Sequence, residues 1–111
     1  MVRYSTLDRT FSALSDPTRR QILERLASGP ATISELAPPF SISLPGLMKH
    51  IRVLEDARLV VTEKRGRSRT CRLGSEQLDE AAQWIDVYRR LWKGRIDRLG
   101  AYIDRAKGTE R

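Results

Sequence analysis

The sequence predicts a mainly α-helical protein with one small β-hairpin, in the order α-α-α-α-β-β-α. Apolar residues recur every three or four positions in several separate stretches, which is the period of amphipathic helices. Two short runs, LVVTE and RTCRL, flank a turn that contains glycine, and this pattern is typical of a β-hairpin. Pairs of proline or glycine residues separate the helical stretches.

Length and charge limit the possible functions. The 111 residues are expected to form a single domain, 1–111. Lysine and arginine number 21 against 14 acidic residues, which gives a net charge of +7. Such an excess favours a polyanionic partner, nucleic acid first and an anionic membrane surface second, although a merely charged, solvated surface remains the alternative.

Cysteine content and hydropathy indicate the compartment. A single cysteine cannot form an intramolecular disulfide. The sequence has no signal-peptide pattern and no run of about 20 apolar residues that could span a bilayer. We therefore expect a cytoplasmic protein without a membrane partner.

Capping signals define the first three helices. The first is predicted over 4–14, and the second begins after the N-cap Asp16 and runs to Ala27. Thr32 and Glu35 have the spacing of a capping box and begin the third helix, which the following pair of prolines ends.

The stretch 32–57 predicts two helices joined by a tight connection, in which Phe40 and Ile42 are expected to pack into the core. We call its second helix, predicted over 43–57, the reader helix. Its inner stripe is Leu47, Ile51 and Leu54. Its outer stripe holds two cations and no acid: Pro45, Met48, Lys49 and Arg52. A helix with a cationic face near its positive N-terminus suits phosphates and base edges. Gly46 has two open interpretations, close approach to DNA or a neutral surface position.

The hairpin over 59–73 is strongly basic. Its cations are Lys64, Arg65, Arg67, Arg69 and Arg72, and its only acid is Glu63. A run of charges is usually a solvated face, but here it directly follows a cationic helix. That order favours contact with phosphates.

The last helix is predicted over 75–106. Its apolar stripe is wider than one small domain can cover, which predicts dimerisation together with the helix over 4–14. The alternative is that it folds back on its own core with a kink at Gly94 or Gly100. The expected interface residues are Leu7, Phe11, Trp84, Ile85, Tyr88, Leu91, Trp92, Ile96 and Leu99.

This order of elements is that of a winged helix-turn-helix. The segments LSDPTRRQILERL, TISELAPPFSISLPGLMKHIRVLEDARLV and EKRGRSRTCRL resemble the ArsR/SmtB family of bacterial transcriptional repressors over nearly the whole chain. WKGRIDRLGAYI is similar to a metal-independent branch of that family. The resemblance implies a homodimer that binds inverted-repeat operators in double-stranded DNA, often in its own promoter.

The resemblance also implies residue roles. The reader helix would lie in the major groove, with Leu44, Pro45, Met48 and Lys49 facing the bases. Phosphates would be contacted by Thr32, Ser43, Arg65, Arg67 and Arg69. Leu44 and Pro45 replace polar residues common at these positions, which favours contact with thymine methyl groups. Arg58 stands where a glycine usually ends the reader helix, so we expect a different C-cap.

Metal binding and catalysis are not expected. A zinc-like site needs about four ligands, and the chain offers only Cys71 and His50 as soft or imidazole ligands. Cys71 is interpreted as a buried structural thiol rather than a redox switch, and His50 either donates to a phosphate or lies at the helix flank. No nucleophile motif or phosphate-binding glycine loop is present, so we predict no enzyme activity and no cofactor.

Three other functions remain open. The winged helix could be a protein–protein interaction module, in which the last helix docks another protein. The protein could also be a DNA-binding regulator that responds to a small molecule or to redox state, or one controlled by its abundance alone. The sequence identifies neither an operator nor an effector.

Overall fold

The computed structural model describes residues 2–74 and 76–109, with side chains described over 6–74 and 76–107. The elements in order are α1 (Val2–Leu14), α2 (Pro17–Ala27), β1 (Ala31–Thr32), α3 (Ile33–Leu36), α4 (Leu44–Asp56), β2 (Val60–Arg65), β3 (Ser68–Leu73) and α5 (Glu76–Thr109). The mainly helical fold with a small sheet and a long last helix is confirmed. Contacts divide the chain into two compact units, Met1–Ala81 and Ala82–Arg111.

The predicted caps of the early helices are confirmed. The Asp16 side chain accepts a hydrogen bond from the backbone N–H of Arg19 at the start of α2, and Pro17 occupies the first turn. Thr32 and Glu35 form the capping box of α3 in both directions. These reciprocal bonds satisfy N–H groups that a helix start leaves without partners. Helix α1 begins at Val2, two residues before its predicted start.

The sheet has three strands in the order β1-β3-β2, one more than the sequence predicted. The added strand β1 pairs antiparallel with β3, with Ala31 opposite Cys71. Its two residues are too few to show any periodicity, so sequence reasoning missed it. Strands β2 and β3 pair from Val60–Leu73 to Arg65–Ser68, which extends β2 two residues beyond the predicted end.

The hairpin turn is a two-residue loop, Gly66 and Arg67. Gly66 has a φ of +60°, the positive value that the first loop position of a type II′ turn requires and that glycine adopts without a steric penalty.

The core of the first unit forms around the reader helix, which is α4. Leu47, Ile51 and Leu54 are buried as predicted, together with Ile22 and Leu36 among others. Phe40 packs against this core, but the prediction for Ile42 is wrong, because its side chain is 43% exposed. Ile42 directly precedes the N-cap of α4, where the chain enters the helix from the surface.

The end of α4 forms a Schellman motif without the usual glycine. Arg58 takes the left-handed conformation, with a φ of 60°. The Leu59 N–H donates to the Leu54 carbonyl and the Arg58 N–H to the Glu55 carbonyl, both at 2.9 Å. The expectation of a different C-cap is therefore wrong, because arginine adopts the backbone geometry that a glycine would provide.

Gly74 joins the end of the hairpin to this motif. Its N–H donates to the Leu59 carbonyl at 2.9 Å. A Cβ added at Gly74 would lie 2.6 Å from the Arg58 carbonyl oxygen, a distance that leaves no room for a side chain. Strand β3 therefore ends directly against the C-terminus of the reader helix.

Helix α5 spans Glu76–Thr109 and therefore ends three residues beyond the predicted end. The predicted first residue, Ser75, lies outside the described residues. In the first unit, Ala81 is buried and Leu78 packs against the core. In the second unit, the helix continues through Gly94 and Gly100 without interruption. None of the described helices has the length and apolar character that crossing a membrane requires.

The left-handed conformation of Arg58 predicts a stabilising substitution. Arg58→Gly should raise the free energy of unfolding by about 1 kcal/mol, because a side chain disfavours the left-handed region. Urea denaturation measures the change. As a control, Glu24→Gly in the exposed interior of α2 should lower stability. Equal or lower stability of Arg58→Gly would contradict the assignment of strain to this position.

Candidate nucleic-acid interface

Burial of one face of α4 determines which of its residues face outward. Leu44, Pro45, Lys49 and Arg52 are exposed, and Met48 is half-buried. Leu44 is 58% exposed. The outer face of α4 therefore presents two cations beside a small apolar surface. Cations of this kind bind phosphates, and apolar side chains contact thymine methyl groups.

The N-terminus of the reader helix is closed by Ser43. Its hydroxyl accepts a hydrogen bond from the Gly46 N–H at 3.2 Å. A Cβ at residue 46 would lie 3.3 Å from that hydroxyl oxygen. The absence of a side chain at Gly46 therefore leaves space for the Ser43 hydroxyl. This is a structural reason for glycine at position 46 that neither sequence-based interpretation included.

The wing, residues 60–73, presents most of its cations to solvent. Lys64, Arg65 and Arg67 are exposed, and Arg65 forms a surface ion pair with Glu63 at 3.3 Å. Exposed pairs of this kind contribute little to stability, so Arg65 can exchange its partner for a phosphate at low cost.

Arg69 differs from the other wing cations, because it is half-buried and donates to the Thr62 hydroxyl at 3.2 Å. Thr62 in turn donates to the Glu55 carboxylate at 2.5 Å. This chain of hydrogen bonds links the wing to the last turn of the reader helix. Sequence reasoning assigned Arg69 a phosphate and missed this connection, which has no local sequence signal.

Thr32 is also engaged within the protein. Its hydroxyl donates to the Glu35 carboxylate at 2.9 Å and accepts from the Glu35 N–H. The backbone N–H and the hydroxyl of Thr32 lower the pKa of Glu35. A phosphate predicted to contact Thr32 would therefore approach an ionised carboxylate.

His50 contacts α2 rather than lying free on the reader helix. Its Nδ1 lies 3.2 Å from Arg19 Nη1 and 3.8 Å from Asp16 Oδ2. The Arg19 backbone N–H lowers the pKa of Asp16, and the charge of Arg19 lowers it further. The sequence revealed the cap at Asp16 but gave no signal for this contact, since 31 residues separate the partners.

Cys71 is fully buried in β3. Burial raises the pKa of its thiol, and the Glu55 charge raises it further. Both effects disfavour the reactive thiolate. Among residues 2–74 and 76–109, no three or more histidine, cysteine or acidic side chains come together as metal ligands would.

The residues predicted for dimerisation are exposed or half-buried. Leu7 and Phe11 are half-buried in α1. In the second unit, Leu91 and Trp92 are 62% and 60% exposed, and the rings of Trp84 and Tyr88 stack at 4.8 Å. The other exposed apolar residues of α5 there are Ile85, Val87, Ile96, Leu99, Tyr102 and Ile103. Large apolar surface of this extent is unusual on a monomer.

Comparison with known proteins identifies the family. A family model described as a helix-turn-helix domain matches residues 14–63. An HTH-type transcriptional regulator of Mycobacterium tuberculosis is 36% identical, over 94% of each chain. The chain belongs to the ArsR/SmtB family of winged helix-turn-helix transcriptional regulators. A solved ArsR family regulator is 47% identical with a TM-score of 0.77, covering 80% of this chain and 92% of that one.

The relatives also define the broad class of activity. The transcriptional repressor SdpR of Bacillus subtilis is 32% identical over 71% of this chain and 88% of its own length. These two curated relatives are named as regulators of transcription. The chain is thus similar to DNA-binding regulators across both the reader helix and the wing.

The lowered pKa of Asp16 predicts how acid affects stability. The pKa of Asp16 in the folded protein lies below the usual 3.8. The ionised carboxylate therefore stabilises the folded protein at any pH above 3.8, and this stabilisation is lost as the pH falls through the pKa of the folded state. Asp16→Asn retains a good cap without the charge. Thermal unfolding should show wild type more stable at neutral pH, with the difference disappearing in acid. A difference independent of pH would contradict this.

Proposed function

We propose that the protein is a sequence-specific transcriptional repressor that binds an inverted-repeat DNA operator as a homodimer and represses its own promoter. One observation carries the proposal: the reader helix and the wing present exposed cations from one compact unit, Lys49 and Arg52 from α4 and Lys64, Arg65 and Arg67 from the wing. The named repressor among the relatives supports the same activity. Such a protein acts where the chromosome is, in the cytoplasm.

The chemistry of the two elements assigns them different tasks. The wing arginines carry long, exposed guanidinium groups, which bind phosphates through paired hydrogen bonds and contribute affinity for any sequence. The outer face of the reader helix combines Lys49 with apolar Leu44 and Pro45, which can distinguish base pairs in the major groove. Specificity is therefore proposed for α4 and general affinity for the wing.

Dimerisation is proposed through the exposed apolar face of α5, together with α1. A second copy of the chain would cover the side chains that are now exposed from Trp84 to Ile103. Two reader helices related by a two-fold axis would then require a near-palindromic operator.

Regulation is proposed to be independent of metal ions. The chain's single cysteine is buried with a raised thiol pKa, and its single histidine is hydrogen bonded to Arg19. Neither is available as it stands to ligate a soft metal. The burial of Cys71 and the raised pKa of its thiol also disfavour this residue as a redox switch, since oxidation requires an accessible thiolate.

Fluorescence anisotropy tests the proposed function directly. The full chain is titrated into a duplex from its own upstream region and into a scrambled duplex of equal composition, over a series of salt concentrations. The proposal predicts that the upstream duplex binds about 10³-fold more tightly, with a steep salt dependence. Equal, weak binding to both duplexes would favour a protein–protein interaction module.

Substitutions in the two elements should have different effects. Arg67→Ala should weaken binding to both duplexes alike and lower the salt slope by about 1, because it removes one phosphate contact. Lys49→Ala should weaken operator binding more than scrambled binding. Competition assays with single-base operator variants measure the change in preference. Identical effects of both substitutions on both duplexes would contradict the division of tasks.

A charge placed on the apolar face of α5 should disrupt the dimer. Leu91→Glu should shift the protein to monomers and reduce operator affinity more than tenfold, since desolvating a carboxylate in an apolar interface is costly. Sedimentation velocity measures the oligomeric state. Gln83→Glu, at an exposed polar position of the same helix, is the matched control and should remain dimeric. An unchanged dimer in Leu91→Glu would locate the interface elsewhere.

A further inference from the structure

We propose that Arg19 is a positioning residue for DNA binding, which holds the reader helix through a hydrogen bond to neutral His50. This inference rests on the proposed DNA-binding function and adds to it a residue outside both the reader helix and the wing. We call the contact between the two side chains the Arg19–His50 link.

The guanidinium of Arg19 joins three helices. Its Nε donates to the Ala13 carbonyl at 2.8 Å and its Nη2 to the Ser12 carbonyl at 3.0 Å, both at the C-terminus of α1. Its Nη1 lies 3.2 Å from His50 Nδ1 in α4. Because the guanidinium is planar and rigid, two bonds to α1 fix the direction of the third. The position of His50 is thereby tied to α1 and α2.

The link requires one protonation state of the histidine. A guanidinium has donors only, so Nδ1 must present its lone pair to Arg19. The imidazole is then neutral, and its proton is on Nε2. Asp16 Oδ2, at 3.8 Å from Nδ1, is too distant to hold a proton there by a hydrogen bond.

The charged groups around His50 determine what protonation would do. From α2 and its cap, Arg19 and Asp16 face the ring. From α1, Asp8 and Arg9 line a cavity one turn further along α4, beside Val53 and Asp56. On α4 itself, the positions three and four residues away are uncharged: Gly46, Leu47, Val53 and Leu54. A proton on Nδ1 would replace the hydrogen bond with repulsion from Arg19, offset in part by attraction to Asp16.

The link has a direct consequence for DNA binding. His50 follows Lys49 and precedes the buried Ile51, so it lies between the outward and inward faces of α4. If the link breaks, α4 loses its side-chain attachment to α1 and α2 at this point and can shift along its axis, and the outward residues lose their alignment with base edges. Contacts with phosphates by the flexible wing cations tolerate such a shift better. Loss of the link therefore reduces specific binding more than non-specific binding.

Nuclear magnetic resonance tests the link without DNA. Long-range proton–nitrogen spectra of the full chain report which ring nitrogen of the single histidine carries the proton. At about pH 8, wild type and Arg20→Gln should show the proton on Nε2. Arg19→Gln should show a mixture of tautomers. A proton on Nδ1 in wild type would overturn the proposal.

Arg20 provides a matched control, since it neighbours Arg19 and also donates to α1, to the Leu14 carbonyl at 2.7 Å. Operator and scrambled duplexes are titrated with each variant. Arg19→Gln should lower operator affinity about tenfold and scrambled affinity much less, whereas Arg20→Gln should change their ratio little. Equal losses on both duplexes for Arg19→Gln would make Arg19 an ordinary phosphate contact and overturn the proposal.

A substitution at His50 completes the test. His50→Ala removes the acceptor of the Arg19–His50 link, so the ratio of operator affinity to scrambled affinity should fall as it does in Arg19→Gln. An unchanged ratio in His50→Ala would overturn the proposal, even where Arg19→Gln is too unstable to assay. Absence of specific binding in wild type would instead contradict the proposed function itself, whatever tautomer the spectra show.

Discussion

The burial of Leu47, Ile51 and Leu54 on one side of α4 is the constraint on which the other features of the interface depend. Three large side chains at helical spacing fix the rotation of the helix about its axis, because a turn in either direction would expose one of them. The remaining positions are thereby assigned to solvent, including Lys49 and Arg52. The proposed recognition surface is therefore a consequence of core packing, and the outward residues can vary without loss of the fold.

Side-chain and backbone hydrogen bonds restrain α4 further, in addition to its apolar packing. The Schellman motif at Arg58 and the close approach of Gly74 attach the end of β3 to the end of α4. The bonds from Arg69 through Thr62 to Glu55 connect the same helix end to the wing. The Arg19–His50 link acts at the middle of α4. Reader helix and wing are thus fixed relative to each other within one compact unit, as binding to one segment of DNA requires.

Local signals allowed most of this unit to be predicted from sequence. The caps at Asp16, Thr32 and Ser43 depend on residues three positions apart, and the buried stripe of α4 on a period of 3.6. The added strand, the exposure of Ile42 and the partners of His50 depend on contacts distant in sequence, so no local pattern reveals them. Arg58 shows a different limit: sequence reasoning took the absence of glycine as evidence for another geometry, whereas tertiary packing imposes the left-handed conformation on arginine.

Selection from a pool of random duplexes tests the central claim most directly, since it assumes no operator. Two copies of the reader helix, set by the same core and related by a two-fold axis, should enrich an inverted repeat whose half-site centres lie about 10 base pairs apart or a multiple of that spacing. Enrichment of a single unrepeated site, or of no sequence at all, would contradict the account of a dimeric, sequence-specific reader.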